Sequence, residues 1–230
     1  MDIAVNPFAR TGQDIGHEGE GRPPSLAERA YRSIRDSLVM LEIRPGAPIH
    51  DGQLADRLDL GRTPVREALK RLESERLVIA YPRRGTFATD VNITDLAHVS
   101  EVRQLLEPAA ARTAALRASA DDRARMADLS AELGGGSARE AGPEASMRLD
   151  LRVHRTIYAA THNPHLEDTL VRYDNLATRI WCLFIDRLPG VAGHVEEHGP
   201  LLRALVEGDE ERAGLLAAEH VDNFERAIRA

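Results

Sequence analysis

Cysteine and long apolar runs are both scarce in this chain, and each shortage excludes something. A single Cys182 rules out a disulfide framework. Set among apolar neighbours, that thiol reads as packed rather than reactive. No apolar stretch approaches the ~18 residues of a membrane-spanning helix, and the first residues lack the apolar core of a secretion signal. The expectation is therefore a soluble, cytoplasmic protein. Lysine is nearly missing too: Lys70 is the one lysine among 30 basic residues, which bears on codon usage rather than on mechanism. What remains is 230 residues, room for two modest domains with their own cores.

Charge is divided unevenly along the chain. The net value is −7. Residues 25–90 hold 12 basic and 10 acidic side chains, whereas residues 91–230 hold 16 and 23. Base is thus focused in the first third, and a local field, not the net charge, is what attracts phosphates.

The most informative segment is Gly61-Arg62-Thr63-Pro64-Val65-Arg66-Glu67-Ala68-Leu69-Lys70-Arg71-Leu72. Gly61 or Thr63 can cap a helix, and Pro64 suits its first turn, where a missing N–H costs nothing. Val65, Ala68, Leu69 and Leu72 then recur at helical spacing, with Arg62, Arg66 and Lys70 on the other face. Such a helix suits the major groove of DNA. Charge pattern alone is equally served by a solvated face, so the flanking residues decide.

Upstream, Leu26, Ala30, Ile34, Leu38 and Leu41 form a helical stripe ending before Arg44-Pro45-Gly46. A short helix follows over 51–58, then a tight turn at Asp59-Leu60-Gly61, the pattern of a helix-turn-helix. Downstream, Leu77 to Tyr81 and Thr86 to Thr89 read as a β-hairpin with Pro82-Arg83-Arg84-Gly85 at its tip. Two arginines and a glycine there suit close approach to a phosphate backbone or minor groove. The sum is a winged helix-turn-helix domain over 25–90, preceded by a disordered tail over 1–24.

Residues from about 26 to 90 resemble the GntR-type bacterial transcription regulators. Arg62 through Glu73 match that family's hallmark almost position for position, and Leu77-Val78 and Arg84-Gly85 follow at the expected distance. The resemblance implies that Arg62 and Arg66 reach bases or adjacent phosphates, Thr63 a phosphate, and Arg84-Gly85 the minor groove, with Lys70 on the same face. Three positions depart: Gly61 stands for a capping Ser or Thr, Asp59 for Gly, and Arg76 for Gly. The last two bear on turn geometry and not on the reading face.

Beyond a linker at 91–94, residues 95–230 read as an all-α antiparallel bundle. Thr94 or Asp95 is the expected cap of a long helix whose stripe is Leu96, Val99, Val102, Leu105, Leu106, Ala109 and Ala110. Further helices are expected at about 120–133, 145–161, 164–187, 192–207 and 209–229, with breaks at Gly134 to Pro143 and at Pro189-Gly190. Asp150 and His154 lie one turn apart on one helical face. His198 lies about nine residues before the Glu207-Gly208-Asp209 turn and His220 about eleven after it, so at ~1.5 Å per residue both sit at similar height. One carboxylate and three imidazoles suit Zn, Ni, Co or Mn better than Ca or Mg. Exposed or hydrogen-bonded histidines give the same spacings, and His194 and Glu197 compete as ligands.

This second half resembles the FCD ligand-binding domain of FadR-type members of the GntR family. The resemblance runs through Glu101 to Pro108, Asp150 and His154, Asn163-Pro164, Glu197-His198, Gly208-Asp209 and Glu219-His220. It implies a divalent metal, zinc first, held by Asp150, His154, His198 and His220, and a carboxylate effector met by Arg103. Arg103 could instead simply pair with Glu107, one helical turn on. Asn175 and Arg179 are further pocket candidates, with surface or interhelix roles as alternatives. Three functions are compatible: a DNA-binding homodimer responding to a small organic acid, a metalloenzyme, or a regulator whose metal is structural or is itself the signal. The first fits best. A DNA-binding head has little purpose on a hydrolase, no general base stands clear of the ligands, and nothing suggests a membrane partner.

Overall fold

The computed structural model of the chain describes residues 23–135, 142–185 and 191–229. The expected tail over 1–24, except its last two positions, lies outside the described residues, as do 136–141 of the expected Gly-rich break and the Pro189-Gly190 stop. The chain divides into two compact units between Val91 and Asn92.

In the first unit, helix α1 (Leu26–Val39) starts at Ser25, whose hydroxyl accepts from Glu28 N–H at 3.1 Å. Ala30, Ile34 and Leu38 are fully buried, but Leu26 is 52% exposed. Leu41, expected on the same stripe, lies past the helix end in a left-handed turn (φ 57°). Helices α2 (Asp51–Leu58) and α3 (Arg62–Ser74) flank the tight turn. Val65, Ala68, Leu69 and Leu72 form the buried back of α3. Gly61 is its N-cap, with no side-chain cap bond. Strands β2 (Val78–Tyr81) and β3 (Gly85–Ala88) make the wing, and β1 (Pro48–Ile49) completes an antiparallel sheet in the order β1-β3-β2. Two residues are too few to show alternation, so β1 left no trace in the pattern.

A polar seam fixes α3 against α1. The Arg71 guanidinium lies 3.6 Å from the Tyr31 ring centroid. Arg71 also donates to Glu28 at 3.0 Å and Glu75 at 3.3 Å, and Tyr31 donates to Glu75 at 3.1 Å.

In the second unit, Asp95 is the N-cap residue of the long helix, one of the two positions expected, but it makes no side-chain cap bond, and the capping side chain is that of Asn92. It accepts from Thr94 N–H at 3.0 Å, heading a 3-10 turn at Ile93–Asp95 that runs into α4 (Leu96–Arg117). The expected stripe on α4 is partly overturned. Its buried face carries Ser100, Arg103, Glu107, Ala110, Ala111 and Ala114, while Leu105 is 71% exposed. Polar residues take the inner face because the bundle centre is itself polar, and apolar Leu105 is turned outward. After α4 come α5 (Ala120–Gly134), α6 (Pro143–Ala159) and α7 (Pro164–Phe184). The expected helix over 192–207 is broken into α8 (Val191–Glu196) and α9 (His198–Glu207). Pro200 has no N–H to give the Glu196 carbonyl, which weakens the helix at that point. Gly208, left-handed at φ 77°, turns the chain into α10 (Glu210–Arg229). Arg123 of α5 ties helix ends together, donating to the carbonyls of Leu205 (2.7 Å), Val206 (2.8 Å) and Ala115 (2.8 Å).

Asp59 (φ 52°) and Arg76 (φ 63°), the two positions where a glycine was expected, both adopt left-handed backbone. That conformation costs a non-glycine residue roughly 1–2 kcal/mol, partly offset by the looser unfolded chain that glycine brings. Arg76→Gly should therefore stabilise the first unit by about 0.5–1 kcal/mol. Native-state hydrogen exchange should show the slowest α3 amides protected a few-fold more. Reduced protection would mean that Arg76 contributes something its backbone conformation does not reveal.

Candidate metal centre and DNA-reading face

The bundle brings Asp150, His154, His198 and His220 together. All four are buried, and one ligand atom from each lies within 4.8 Å of the others. Helix α6 contributes Asp150 and His154 one turn apart, while α9 and α10 contribute one histidine each. The rings of His198 and His220 stand 4.1 Å apart, centroid to centroid, in keeping with their similar distances from the Gly208 turn.

Hydrogen bonds at the outer nitrogens set the tautomer of each ring. His198 Nδ1 lies 3.1 Å from the Val195 carbonyl, which only accepts, so Nδ1 carries the proton. This contact is shorter than the 3.7 Å between the same nitrogen and Asp150 Oδ1. His220 Nδ1 lies 3.2 Å from the Glu197 carboxylate and donates to it. Tyr158 donates to Glu107 at 3.0 Å, so its oxygen accepts from His154 Nδ1, also at 3.0 Å. Arg103 Nε in turn donates to Glu107. Each Nε2 is left as a bare lone pair.

Those lone pairs suit a cation. The Nε2 atoms of His154 and His198 face each other at 3.3 Å, and neither has a proton to offer. His220 Nε2 and Asp150 Oδ1 are buried without a hydrogen-bond partner. Burial also opposes filling the gap with protons. Desolvation holds His154 and His220 well below the usual histidine range and His198 down to about 3. The same desolvation, reinforced by Asp174, pushes the Asp150 carboxyl well above its usual range. The donor set, its neutral imidazoles and its outer partners fit a divalent transition ion.

His194 is not part of this quartet. It stacks between Trp181 (4.5 Å) and His220 (4.2 Å), with Nδ1 3.5 Å from Glu197. Glu197 belongs to the outer shell of His220 and also accepts from Asn223 at 2.9 Å. His194, Glu197 and His220 form a second, overlapping cluster, in which Glu197 is half-buried whereas all four members of the quartet are buried.

Arg103 is buried, bonded to Glu107, and 3.8 Å from Asp174. The helical pair with Glu107, one of two readings open from the sequence, is thus a contact made in this structure. Asn175 is fully buried. Its carbonyl accepts from Arg155 at 3.3 Å, and its Nδ2 has no partner. Arg179 is buried on α7. Tyr158 was missed in the sequence, and Glu107 was named there only as a partner for Arg103, not as the acceptor for Tyr158. The one available signal was Tyr158 lying one helical turn past His154.

In the first unit, Arg62, Thr63, Arg66 and Lys70 lie exposed along α3, and Arg84 and Gly85 lie exposed at the wing tip. Asp51, at the start of α2, pairs with Arg66, and the Arg66 bond holds the Asp51 carboxyl below its usual range. Arg62 lies against Gly52, where a Cβ would come within 2.9 Å of its guanidinium. Gly85 has φ +94° and open space around it, so the wing tip needs glycine there and can approach a backbone closely.

Comparison with known proteins agrees with this two-part reading. Residues 26–88 match the gntR family of bacterial regulatory proteins, and residues 98–223 match the FCD domain. The chain is a GntR-family transcription regulator with a C-terminal FCD domain. Its relatives include the galactonate operon transcriptional repressor of Escherichia coli K12, 28% identical over 226 residues, which cover 88% of this chain and 96% of that one. The HTH-type transcriptional repressor RspR of the same strain is 33% identical over 88 residues, or 38% of this chain and 39% of that one. Among solved structures, E. coli McbR/YncC superposes with a TM-score of 0.76 at 24% identity, over 90% of this chain and 98% of that one, a likeness of fold. The gntR family comprises bacterial regulatory proteins. Among the described residues no helix is long and apolar enough to cross a membrane.

The depressed histidine pKa values fix a pH dependence for the ion-free protein. Unfolded histidines take up protons below about 6.5, whereas folded His198 resists down to about 3. The unfolded state therefore binds more protons in that window, and stability falls with pH by about 1.4 kcal/mol per unit for each such histidine. Asp150, with its raised pKa, opposes this, but one carboxyl stands against three imidazoles. Urea unfolding of chelator-treated protein should show stability declining from neutral pH downward, and a flat profile would contradict the buried neutral cluster. Protein reloaded with zinc should bind about one ion per chain. His154→Ala, His198→Ala and His220→Ala should abolish that binding while His194→Ala retains it, and the reverse pattern would reassign the ligands.

Proposed function

We propose that residues 25–90 form a DNA-binding head joined by a linker at 91–94 to a sensor over 95–230, and that a homodimer binds a pseudo-palindromic operator in the cytoplasm. A divalent ion, zinc first and Ni, Co or Mn after it, is held by Asp150, His154, His198 and His220. When bound, the ion supplies a Lewis-acidic anchor for a carboxylate oxygen. A small organic acid is the effector, with Arg103 facing its charge and Asn175 and Arg179 as further pocket residues. The observation that supports this reading best is the arrangement of the three imidazoles, each with Nδ1 tied outward and Nε2 bare toward a common centre.

On DNA, Arg62, Arg66 and Lys70 present charge from the exposed face of α3, Thr63 meets a phosphate, and Arg84-Gly85 enters the minor groove. One recognition helix reads few base pairs, so two copies are the route to useful affinity. The effector shifts operator affinity only by its preference between DNA-competent and incompetent dimers, typically about 1–3 kcal/mol or 5–150-fold. Release of the operator, hence repression relieved by a metabolite, is the sign favoured here.

One observation favours a second reading, in which the metal acts without an organic effector: Arg103 is already neutralised by Glu107 and Asp174. Titrating small carboxylates against a preformed operator complex separates the two. Arg103→Ala would strand two buried carboxylates, so Arg103→Lys is the cleaner variant, keeping the charge and losing the planar fork. It should keep metal and operator binding while losing most of the response. An equal response in both proteins removes Arg103 from recognition, and no response to any carboxylate supports the metal-only reading. On the DNA side, Arg62→Ala or Arg66→Ala should each cost ~1–3 kcal/mol of operator affinity. Wild-type affinity in both would remove this face from the mechanism.

A further inference from the structure

Two exposed arginines of α3 rest on the first two residues of α2. Arg62 and Arg66 lie one turn apart on one face of α3, and Asp51 and Gly52 open the neighbouring helix. Arg66 donates from Nε to Asp51 Oδ2, although its side chain is 66% exposed. Arg62 lies over Gly52, where a Cβ would come within 2.9 Å of Nη2 and 3.3 Å of Cζ. The Arg66 bond, and more weakly the Arg62 charge, hold the Asp51 carboxyl below its usual range, so both guanidinium groups gather at this helix end.

Stability of the fold explains neither residue. An exposed ion pair adds little to folding. Glycine is the poorest helix former after proline, and α2 has only eight residues. What the two positions do is aim the arginines. A guanidinium held at Nε keeps its plane, and its Nη groups together match O6 and N7 of a guanine. An arginine without such a tether can swing to the nearest phosphate, a contact that carries no sequence information. The carboxylate also repels phosphates, so Asp51 weakens attraction to DNA of every sequence while it orients Arg66.

We infer that Asp51 and Gly52 are positioning residues that set the base preference of the operator half-site. Asp51 tethers Arg66 in the orientation that reads guanine, and Gly52 leaves the room in which Arg62 lies beside it. Specificity is thereby determined partly from α2, outside the helix that makes the base contacts. The inference rests on the reading of α3 as the DNA-contacting helix.

The test uses the full-length, zinc-loaded protein on duplex DNA randomised over about two helical turns, with bound molecules recovered and sequenced. Affinities for the selected site and for a scrambled duplex are then measured at one salt concentration. Asp51→Ala should lower the preference for guanine at one half-site position by about 10-fold or more, the worth of a bidentate pair. It should bind the scrambled duplex at least as tightly as wild type does. Gly52→Ala should lower the preference at a second position yet melt no earlier than wild type, because alanine favours the helix. Arg66→Lys should lose guanine at the position that Asp51→Ala affects, and adding Asp51→Ala to it should change nothing further there. A purely structural role would instead weaken binding to every sequence alike. That result, or an unchanged base preference in both Asp51→Ala and Gly52→Ala, would overturn the inference and leave the role of α3 standing. Arg62→Ala and Arg66→Ala proteins that select the same sites as wild type would overturn both.

Discussion

Burying ionisable groups in a helical bundle is costly unless they are neutral, paired or joined to a cation, and the second unit is organised around that constraint. Asp150, His154, His198 and His220 lie in a centre where desolvation opposes charge on every one of them. Val195, Glu197 and Tyr158 tie up the outer nitrogens and leave the inner lone pairs unsatisfied. Removing any outer partner would free its ring to turn or change tautomer. The polar lining of α4, with Arg103 and Glu107 inward, follows from the same centre. So does the outward displacement of Leu105, which leaves an apolar surface on the opposite side of that helix.

The same chain of contacts links the centre to α4. His154 bonds Tyr158, Tyr158 bonds Glu107, and Glu107 bonds Arg103. A charge arriving among the histidines therefore acts on groups whose hydrogen bonds end on the helix that continues, through the linker, toward the DNA-binding unit. In the first unit, the Arg71–Tyr31 stack fixes α3 against α1, and Asp51 of α2 pairs with Arg66 on the exposed face of α3.

Much of this was legible in the sequence because the relevant signals are local and periodic. The apolar back of α3, the wing's Arg-Arg-Gly tip and the one-turn spacing of Asp150 and His154 all follow from short-range rules. Similar distances of His198 and His220 from a glycine turn sufficed to bring two helices' histidines to nearly one height. The losses have physical causes. Strand β1 spans a single period of alternation, too little to stand out as a pattern. The α8–α9 break depends on Pro200 lying within a turn that otherwise reads as helix. The stripe on α4 was misplaced because hydrophobicity was taken to mark the inside, whereas in a bundle with a polar centre the inner face carries Arg103 and Glu107. The Tyr158–Glu107 bond and the Arg66–Asp51 pair are tertiary contacts, which no spacing rule encodes.

The central claim is that three neutral imidazoles present Nε2 to one ion while Nδ1–H points outward. Proton NMR of the cobalt(II)-substituted protein tests this directly, because the Nδ1–H of an Nε2-bound histidine is strongly hyperfine-shifted and exchanges with solvent deuterium. Three such exchangeable resonances are expected, the one from His220 disappearing in His220→Ala and none disappearing in His194→Ala. Fewer than three, or a resonance lost with His194, would contradict the arrangement of the centre.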